Sequence, residues 1–481
     1  MRPSSNGITP IAGPITNAVA SLRGWTGIVL AAGPGTRMRS AVPKVLHPVA
    51  GVPMVRLVCN LLREVGCDQI VVVASPGSYE DIADAVGEGV TTVVQAQPLG
   101  MGDATLAARE VVGAGRNVLM LHADMPLLTT RTLLEMAGRH VAVDHALTIS
   151  TAYLEDPRGY GRVERRNGKV QGIVLEADLP AAQRGQPEVN AGLYAADADW
   201  LWDTLAALPR SDRGEVGLAG LIALAVQRGG VEAYQVTEAV EVQQVNDRIQ
   251  LASAERVLRD RIRRRLMLEG VTLLDPPSTF IDAGVRVAPD TTLLPGVHLI
   301  GSTRVGSGCR IGPNAILRDT TVADGVEIGG STLEGSTIAA GVTIGPYCHL
   351  RPGSVIEQDV HLGNYVEVKN SRIGPRTQVG HFSYIGDADV GAGVNIGAGS
   401  ITVNYDGVTK HRTQIGDGAF VGSDSLLVAP VRLGEGARTA AGAVVTSDVP
   451  DGALVMGVPA RIRPGAEGGN PTQEHRSPAS S

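Results

Sequence analysis

The chain has 481 residues, and at roughly 100–200 residues per domain this length predicts about two to four folded domains. Apolar residues make up 43% and charged residues 19%, which excludes a wholly disordered protein. The net charge of −7 argues against nucleic acid or an anionic membrane as the main partner. Glycine accounts for 61 residues and aromatic residues for only 3%, so the fold requires many tight turns and little aromatic packing.

Cysteine usage and hydropathy indicate the compartment. Four cysteines form no CxxC pair, which predicts neither a disulfide framework nor a zinc knuckle and favours a reducing, cytoplasmic location. No stretch approaches the roughly 18 consecutive apolar residues of a membrane-spanning helix, so we expect no membrane insertion. Residues 1–24 lack the pattern of a signal peptide and are predicted to be a flexible extension, and residues 464–481 a disordered tail.

Residues 25–247 alternate short apolar runs with amphipathic segments. This alternation predicts a Rossmann-like α/β domain with a mostly parallel sheet. The strand-like runs read GIVLAA, QIVVVAS, TTVVQA, NVLMLHAD and HALTISTA. Ligands of such sheets bind at the carboxyl ends of the strands, so we expect a site there.

Residues 248–270 are predicted to form one long helix that ends at Gly270. The segment is rich in arginine, which leaves open a nucleic-acid-binding face or a solvated linker helix. The negative charge of the whole chain favours the linker helix.

Residues 271–463 repeat with a period of six. Aliphatic residues recur at every sixth position, as in Ile338, Ile344, Leu350, Ile356, Leu362 and Val368, and glycine follows many such aliphatic residues, as at Ile344 and Leu362. This period predicts a left-handed parallel β-helix of hexapeptide repeats, with the aliphatic side chains inside. Between Ile401 and Ile415 the period breaks, which predicts an extruded loop that carries function.

A glycine-rich turn follows the first predicted strand. Gly33-Pro34-Gly35-Thr36-Arg37-Met38, with Pro43-Lys44 beyond it, offers backbone amides and cations to phosphate oxygens. The turn has neither the GK[ST] of a Walker loop nor the GxGxxG of a dinucleotide site. Asp124 follows the end of a later strand, where an aspartate by itself caps the next helix more often than it binds a metal. The phosphate-binding turn beside it favours a Mg²⁺ ligand here.

GxGTRM followed by PK is the signature of sugar-1-phosphate nucleotidylyltransferases, and further segments extend the likeness. They are Gln95–Gly100, Gly159–Val163, Glu188–Gly192, Gly214–Glu215 and Val245–Asn246. From about residue 25 to 462 the chain resembles the family of bifunctional enzymes that acetylate glucosamine-1-phosphate and then couple the product to UTP. The resemblance implies acetyl transfer from acetyl-CoA, followed by uridylyl transfer with release of pyrophosphate.

The resemblance also implies roles for residues of the first half. Arg37 and Lys44 would be catalytic and steady the triphosphate, and Asp124 and Asn246 would hold Mg²⁺. UTP and the UDP-sugar would contact Leu30, Ala31, Ala32, Gly33, Gly35, Lys44, Gln95, Gly100, Met101, Gly161, Glu176, Asn190 and Asn246.

Several positions depart from the family pattern. Met101 and Asp103 replace the usual Thr and His, and Leu175 stands where the sugar-binding Glu usually lies, with Glu176 next to it. Ala219-Gly220 replace the usual Thr-Asp. Glu176 could compensate for Leu175 only from a loop, since neighbouring strand residues point to opposite faces.

In the second half, the resemblance implies that His381 is the general base and that Glu367 orients its imidazole. Glucosamine-1-phosphate would be bound by Arg351, Lys369, Tyr384 and Asn395. Acetyl-CoA would be bound by Asn404, Tyr405, Ser423 and Ala441. The family's acetyl-transfer sites lie between subunits, so we expect a homotrimer.

Two alternatives remain open at this point. The β-helix could serve only oligomerisation beside a single nucleotidylyltransferase activity, or the chain could be a non-enzymatic scaffold with a degenerate nucleotide-binding domain. The departures at Met101, Leu175, Ala219 and Gly220 favour the second alternative. The first alternative, an inert β-helix, is disfavoured by the grouping of His381, Glu367, Lys369, Arg351, Asn404 and Tyr405.

Overall fold

A computed structural model describes residues 20–143, 145–210 and 216–463. The chain divides into two compact units, one ending at Leu258 and the other beginning at Arg259. Residues 1–19, the expected tail 464–481 and the Gly214–Glu215 segment lie outside the described residues. Residues 20–24 of the expected extension pack on the first unit: Leu22 is fully buried, and its amide donates to Val65 O at 2.8 Å.

The first unit is built on a mixed sheet. The strands of this unit are β1 (Trp25–Leu30), β2 (Pro48–Val49), β3 (Val52–Pro53), β4 (Gln69–Ala74), β5 (Thr91–Val94), β6 (Asn117–His122), β7 (Leu147–Tyr153), β8 (Arg162–Arg166), β9 (Lys169–Val174), β10 (Glu188–Asp197) and β11 (Glu232–Gln235). The order in the sheet is β11-β7-β10-β6-β1-β4-β5. Pairs among β1, β4, β5 and β6 are parallel, whereas β10 runs antiparallel to β6 and β7.

Helices cover both faces of this sheet, because its central strands are apolar on both sides. In β6, Val118 and Met120 belong to one buried cluster and Leu119 and Leu121 to the other. The helices are α1 (Met54–Glu64), α2 (Tyr79–Val86), α3 (Gly100–Leu106), α4 (Arg109–Val112), α5 (Thr130–Ala142), α6 (Ala198–Ala207) and α7 (Leu218–Arg228). Short 3₁₀ turns occupy Thr36–Met38, Lys44–Leu46, Pro76–Ser78, Glu176–Asp178, Ala181–Gln183 and Ala239–Val242.

The predicted linker helix is α8 (Arg248–Leu268). In this helix the side chains of Ile262 and Leu266 are buried, whereas Ile249 is 82% exposed. Arg263 Nη1 donates to Thr279 O at 3.0 Å and Arg259 Nη2 to Asp282 Oδ1 at 3.1 Å. Two arginines of this helix therefore make contacts within the second unit, and the interpretation of the helix as a linker stays a prediction. No helix in the described ranges combines the length and apolar character needed to cross a bilayer.

The second unit is a left-handed parallel β-helix whose short strands stack into three sheets, here called the first, second and third faces. The first face holds Thr272–Leu273, Thr292–Leu293, Arg310–Ile311, Glu327–Ile328, Thr343–Ile344, His361–Leu362, Gln378–Val379, Asn395–Ile396, Phe420–Val421, Arg438–Thr439, Leu454–Gly457 and Ala460–Ile462. The second face holds Phe280–Ile281, His298–Ile300, Ile316–Arg318, Thr332–Glu334, His349–Leu350, Val366–Lys369, Ser383–Gly386, Ile401–Val403, Leu426–Val428 and Val444–Val445. The third face holds Arg286–Val287, Arg304–Val305, Thr321–Val322, Thr337–Ile338, Val355–Ile356, Arg372–Ile373, Ala388–Val390, Thr413–Ile415 and Val431–Leu433.

The aliphatic residues of the six-residue period fill the interior. Leu350, Val368 and Ile385 are neighbours in register on successive coils of the second face, and all are buried. Coils approach very closely at Gly363, where an added Cβ would lie 1.8 Å from Gly380 O. Only glycine fits there, which explains why it follows the aliphatic residue.

The loop predicted between Ile401 and Ile415 leaves the β-helix after Val403 and returns at Thr413. It closes on itself through an antiparallel bridge between Tyr405 and Lys410. At the tip of the loop, the Asp406 carboxylate accepts hydrogen bonds from the backbone amides of Val408 and Thr409, each at 2.7 Å. We call residues 404–411 the extruded loop.

Candidate functional sites

The glycine-rich turn opens a cavity of about 250 Å³ at the carboxyl ends of β1 and β6. This is the place at which ligands bind open α/β sheets. The cavity is lined by Leu30, Ala31, Ala32, Gly33, Pro34, Lys44, Val45, Gln95, Pro98, Gly100, Met101, Ala104, His122 and Asp124. Eight of the residues predicted to contact the nucleotide therefore line one cavity, together with the predicted metal ligand Asp124.

Gly35 brings Lys44 against the turn. Its φ is +59°, and an added Cβ would lie 2.5 Å from Lys44 Cβ. A larger residue would be strained and would push the lysine away, so this glycine is needed for a close approach. Arg37, in contrast, is exposed and is not part of the cavity wall.

Lys44 joins two segments of the chain that are far apart in sequence. Its Nζ donates to Asp124 Oδ2 and, at 3.0 Å, to Asn246 Oδ1. Val245 N also donates to Asp124 O at 3.0 Å, which holds the two predicted metal ligands side by side. Asp124 Oδ1 is buried and has no hydrogen-bond partner among the described residues. A carboxylate oxygen without a partner and an amide oxygen are hard ligands, and they fit Mg²⁺ completed by phosphate oxygens.

A buried carboxylate fixes the segment that carries Asn246. Glu241 Oε2 accepts hydrogen bonds from Thr129 N at 3.1 Å, Thr129 Oγ1 at 2.9 Å and Thr132 Oγ1 at 2.7 Å. These donors lie at the N-terminus of α5, immediately after the Asp124 loop. The sequence gives no hint of this contact, because the partners are more than 100 residues apart.

His122 contributes to the same cavity and was not singled out from the sequence. Burial lowers the pKa of His122, the nearby Lys44 lowers it further, and Asp124 opposes both. The imidazole is therefore neutral at physiological pH and adds no charge to the cavity. The backbone of Gly192 lies against it, since an added Cβ would be 3.0 Å from His122 Cδ2.

Gln95 is held in one orientation. It is buried, and its Nε2 donates to Gly100 O at 3.0 Å and to Asp103 Oδ2 at 3.1 Å. Asp103 in turn lies 3.6 Å from Arg210. Asp103, which replaces the usual histidine, thus supplies a carboxylate oxygen that accepts this hydrogen bond and orients the carboxamide of Gln95.

The predicted sugar contacts group on β8–β10 and the turns beside them. Asn190 N donates to Gly161 O at 2.9 Å, and Asn190 Nδ2 donates to Tyr194 OH at 2.6 Å. Glu176 lies in the 3₁₀ turn after β9, where its Oε2 accepts Gly159 N–H at 2.5 Å. Leu175 is 53% exposed. The glutamate therefore lies outside the strand, which meets the condition for it to compensate for Leu175.

The remaining departure lies in α7. Gly220 is a residue of that helix, and an added Cβ would approach Leu208 Cδ2 at 2.9 Å. The side chain of Ala219 lies outside the described residues.

In the second unit, successive coils place the predicted sugar-phosphate residues in columns. Glu367 is paired in register with Tyr384 on the second face. Arg351 Nη1 donates to Glu367 Oε1 at 3.2 Å, so these two residues pair across adjacent coils. His381 is exposed, and in the part of the chain that the structure describes no hydrogen bond joins it to Glu367.

His381, Ser423 and Ala441 share one edge of the prism. Val379, Ile396, Val421 and Thr439 follow one another in register on the first face. Each of the three residues lies two positions after such a strand residue, at the edge between the first and second faces, and all three are exposed. Asn395 lies on the first face beside this edge and is also exposed. The predicted base and two predicted acetyl-CoA contacts therefore lie along a single line.

The carboxylate of Asp387 joins residues predicted to bind different substrates. It accepts hydrogen bonds from Lys369 Nζ at 3.2 Å, Asn370 Nδ2 at 2.6 Å and Asn404 Nδ2 at 2.5 Å. Asn404 Nδ2 also lies 3.4 Å from Tyr384 OH. Burial disfavours the charged form of Asp387, but the three hydrogen bonds outweigh it and lower its pKa, so the carboxylate stays ionised.

Lys410 is a cation that the sequence did not single out as a ligand. It lies on the extruded loop beside Lys369, whose hydrogen-bonding contact and charge lower the pKa of Lys410; Arg351 lowers it further. Lys369, Lys410 and Arg351 thus form a cationic group suited to a phosphate dianion. The interruption of the six-residue period was the only signal for Lys410. Tyr405, on the same loop, is 55% exposed and donates its hydroxyl to Gly407 O at 2.6 Å.

Comparison with known proteins places both units. A family model described as a MobA-like NTP transferase domain matches residues 27–215. Bacterial transferase hexapeptide repeats match residues 335–370, and hexapeptide repeats of succinyl-transferase match residues 302–346 and 412–447. The whole chain is similar to curated proteins described as bifunctional protein GlmU. The one from Trichlorobacter lovleyi is 43% identical over 436 residues (89% of this chain, 95% of that protein), and the one from Heliobacterium modesticaldum is 44% identical over 435 residues (90% and 95%). A third, from a Geobacillus species, is 41% identical over 431 residues (89% and 94%).

Proposed function

The chain belongs to the family of bifunctional GlmU proteins, and from this membership we propose which of its residues perform the two reactions. It is a transferase of UDP-N-acetylglucosamine synthesis. It transfers an acetyl group from acetyl-CoA to glucosamine-1-phosphate, and a uridylyl group from UTP to N-acetylglucosamine-1-phosphate with release of pyrophosphate.

Uridylyl transfer is assigned to the cavity at the carboxyl ends of β1 and β6. The contact of Lys44 with Asp124 and Asn246 carries this assignment, because it gathers a cation and two oxygen ligands beside the glycine-rich turn. The turn's backbone amides and Lys44 bind the triphosphate, and Gln95 with Gly100 binds the uracil. Asp124 and Asn246 would hold Mg²⁺, which when bound offsets the charge that develops on the phosphates.

The sugar phosphate attacks the α-phosphorus of UTP in line, and pyrophosphate leaves. Such a reaction needs positioning and charge neutralisation rather than a covalent intermediate. Gly161, Glu176 and Asn190 orient the amino sugar for the attack. Arg37, on the exposed turn, is assigned to the leaving pyrophosphate.

Pyrophosphate release from UTP and N-acetylglucosamine-1-phosphate tests this assignment. Replacement of Lys44 by Ala is expected to lower the rate strongly, whereas replacement of the exposed Lys169 by Ala is a matched control that keeps it. Equal rates in the two variants would contradict the assignment.

Acetyl transfer is assigned to the second face and to the edge that carries His381. The neutral imidazole of His381 accepts a proton from the ammonium of glucosamine-1-phosphate, since only the free amine can attack the thioester carbonyl. The C–N bond forms and the C–S bond breaks. The nitrogen gives up a second proton as the amide forms, and coenzyme A, which leaves as a thiolate, takes up one proton.

The columns and the edge support a proposed position for each substrate of this reaction. Arg351, Lys369 and Lys410 bind the phosphate, with Tyr384 and Asn395 beside it. Acetyl-CoA is proposed to lie along the edge through Ser423 and Ala441, with Asn404 and Tyr405 reaching it from the extruded loop. Glu367 positions Arg351 within one protomer, and its proposed action on His381 stays a prediction.

Release of free thiol from acetyl-CoA and glucosamine-1-phosphate tests the second assignment. Replacement of His381 by Ala is expected to abolish this reaction and to leave pyrophosphate release unchanged. Loss of both activities, or of neither, would contradict the separation of the two sites.

The acetyl site is proposed to be completed by neighbouring copies in a homotrimer. His381 is exposed, and the second face carries outward apolar side chains on both sides of the polar residues in its column: Phe280 (41% exposed), Ile316 (37%) and Ile401 (40%). Exposed apolar side chains along a flat face suit burial against a second copy. A monomer with full acetyltransferase activity, established by sedimentation and assay together, would contradict this.

The compartment is proposed from the thiols and the substrates. Cys59, Cys309 and Cys348 are buried and free, and Cys67 is free as well. Four free thiols and substrates of central metabolism suit the cytoplasm.

A further inference from the structure

We propose that Asp387 is the positioning residue that aligns the binding groups of both acetyl-transfer substrates. This inference rests on the proposed acetyltransferase function. Lys369, assigned to the sugar phosphate, and Asn404, assigned to acetyl-CoA, donate to the same Asp387 oxygen, Oδ2. The other oxygen, Oδ1, accepts Asn370 Nδ2 at 2.6 Å. Every oxygen of this buried carboxylate is thus engaged, and two of its three partners are substrate ligands.

The backbone of Asp387 holds the extruded loop as well. Asp387 N donates to Lys369 O at 3.0 Å, and Thr413 N donates to Asp387 O at 3.2 Å. The loop leaves the β-helix at Asn404 and returns at Thr413. Asp387 therefore contacts the first end of the loop through its side chain and the second end through its backbone carbonyl. Its φ of +50° is unusual for a residue with a Cβ and is tolerated best by Asp and Asn.

The charge of Asp387 offsets the positive charge of Lys369. The pKa of Lys410 is lowered first by its hydrogen-bonding contact with Lys369, and then by the charges of Lys369 and Arg351. The ionised carboxylate faces Lys369 directly and also opposes the lowering at Lys410. Tyr384 is the remaining titratable group against Lys369. Without the carboxylate, Lys369 would lose its counter-ion and Asn404 its anchor at the same time.

The consequence is that one substitution weakens the binding of two chemically different substrates. Replacement of Asp387 by Asn keeps the size but puts an amide against the donors of Lys369 and Asn404. We expect KM to rise about tenfold for both glucosamine-1-phosphate and acetyl-CoA, because a hydrogen bond to a charged group is worth about a tenfold change or more. A residue that served only the stability of the β-helix would not raise both KM values.

The experiment measures kcat and KM for both substrates in the full-length wild type, Asp387→Asn and Asp389→Asn. Asp389 lies on the same strand region but is exposed and pairs with Arg372 at 3.2 Å on the outer surface, so it is the matched control. Pyrophosphate release by the same preparations serves as an internal reference and should stay within about twofold. Raised KM values for both substrates in Asp387→Asn alone would support the proposal.

A second readout is the pH dependence of KM for glucosamine-1-phosphate. Loss of the carboxylate lowers the pKa of Lys369, so in Asp387→Asn the KM should begin to rise at a lower pH than in the wild type. Unchanged KM values, a fall in kcat alone, or an equal effect of Asp389→Asn would overturn the proposal.

If the Asp387→Asn variant does not fold, the Asn370→Ala variant tests the proposal instead. Asn370 has no assigned substrate and contacts Asp387, so a smaller rise in both KM values supports the alignment, and no rise overturns it. A wild-type protein that transfers no acetyl group would instead defeat the proposed function, which the thiol assay detects separately.

Discussion

The side-chain nitrogen of Lys44 lies 3.0 Å from the side-chain oxygen of Asn246, a residue 202 positions later in the chain. The same nitrogen contacts Asp124, so one lysine joins the glycine-rich turn to both proposed metal ligands. An ammonium in this place can neutralise phosphate charge only if the three segments stay aligned.

Replacement of Lys44 by Gln keeps the polarity and removes the charge. We expect kcat for pyrophosphate release to fall about 100-fold, the order of loss for one charge-stabilising donor in a preorganised site. Steady-state kinetics with saturating UTP and magnesium measures this fall. Lys169→Gln, at an exposed position of the same unit, is the control, and a similar loss in that variant would contradict the assignment.

Replacement of Glu241 by Gln removes the carboxylate that holds the N-terminus of α5. We expect the first unit to lose about 1–3 kcal/mol of unfolding free energy, because three donors lose a charged acceptor in a buried place. Half-maximal uridylyl transfer should also require more magnesium, since Asn246 lies on the same segment. Denaturant unfolding and a magnesium titration test both. The exposed Glu238→Gln should change neither.

Acid should destabilise the first unit through His140. Burial lowers the pKa of His140 from 6.5 in the unfolded chain to about 4 in the folded one. The unfolded state therefore binds the proton first, so the stabilising contribution is complete above pH 6.5 and is lost as the pH falls towards 4. The loss amounts to about 3 kcal/mol at 1.36 kcal/mol per pKa unit.

Thermal unfolding of wild type and His140→Gln between pH 4 and pH 7 measures this contribution. The variant should show a shallower decline of stability with acid. Parallel curves for the two proteins would show that His140 does not cause the decline.

The close stacking of two coils can be tested with a pair of glycines. An alanine at Gly363 would place its Cβ 1.8 Å from Gly380 O, whereas an alanine at Gly380 would meet nothing within 4 Å. We expect Gly363→Ala to lower the unfolding free energy of the second unit by more than about 3 kcal/mol and Gly380→Ala to have little effect. Denaturant unfolding followed by circular dichroism compares them. Equal stability of the two variants would contradict the close approach.

Most of the fold could be predicted from the spacing of apolar residues along the sequence. The alternation of apolar runs predicted the α/β unit and the six-residue period predicted the β-helix, because both patterns record which side chains face the interior. The ends of the helices are less predictable: between β5 and β6 the chain forms two short helices, α3 and α4, rather than one. Propensity in so short a segment does not locate such a break.

The site was predictable where a motif is contiguous and less so where the fold assembles it. The turn at Gly33 and the lysine at 44 could be identified from adjacent residues, and both line the cavity. The roles of Asp387, Lys410 and Glu241 depend on partners on other coils or strands, so no local sequence pattern predicts these roles. No hydrogen bond joins Glu367 to His381 among the described residues, where Glu367 instead accepts one from Arg351 of the preceding coil. Register between coils, which the sequence does not state, decides that pairing.

Because each coil of the second unit retraces the backbone path of its predecessor, the residues of the acetyl site are separated by whole coils. Evolution could therefore add or remove complete coils before the coil that carries Arg351 without disturbing the site. A single inserted residue between Arg351 and Asn404 would instead turn outward side chains into the interior. We therefore expect members of this family to differ in length by whole coils before the acetyl site, and not to differ in length within it.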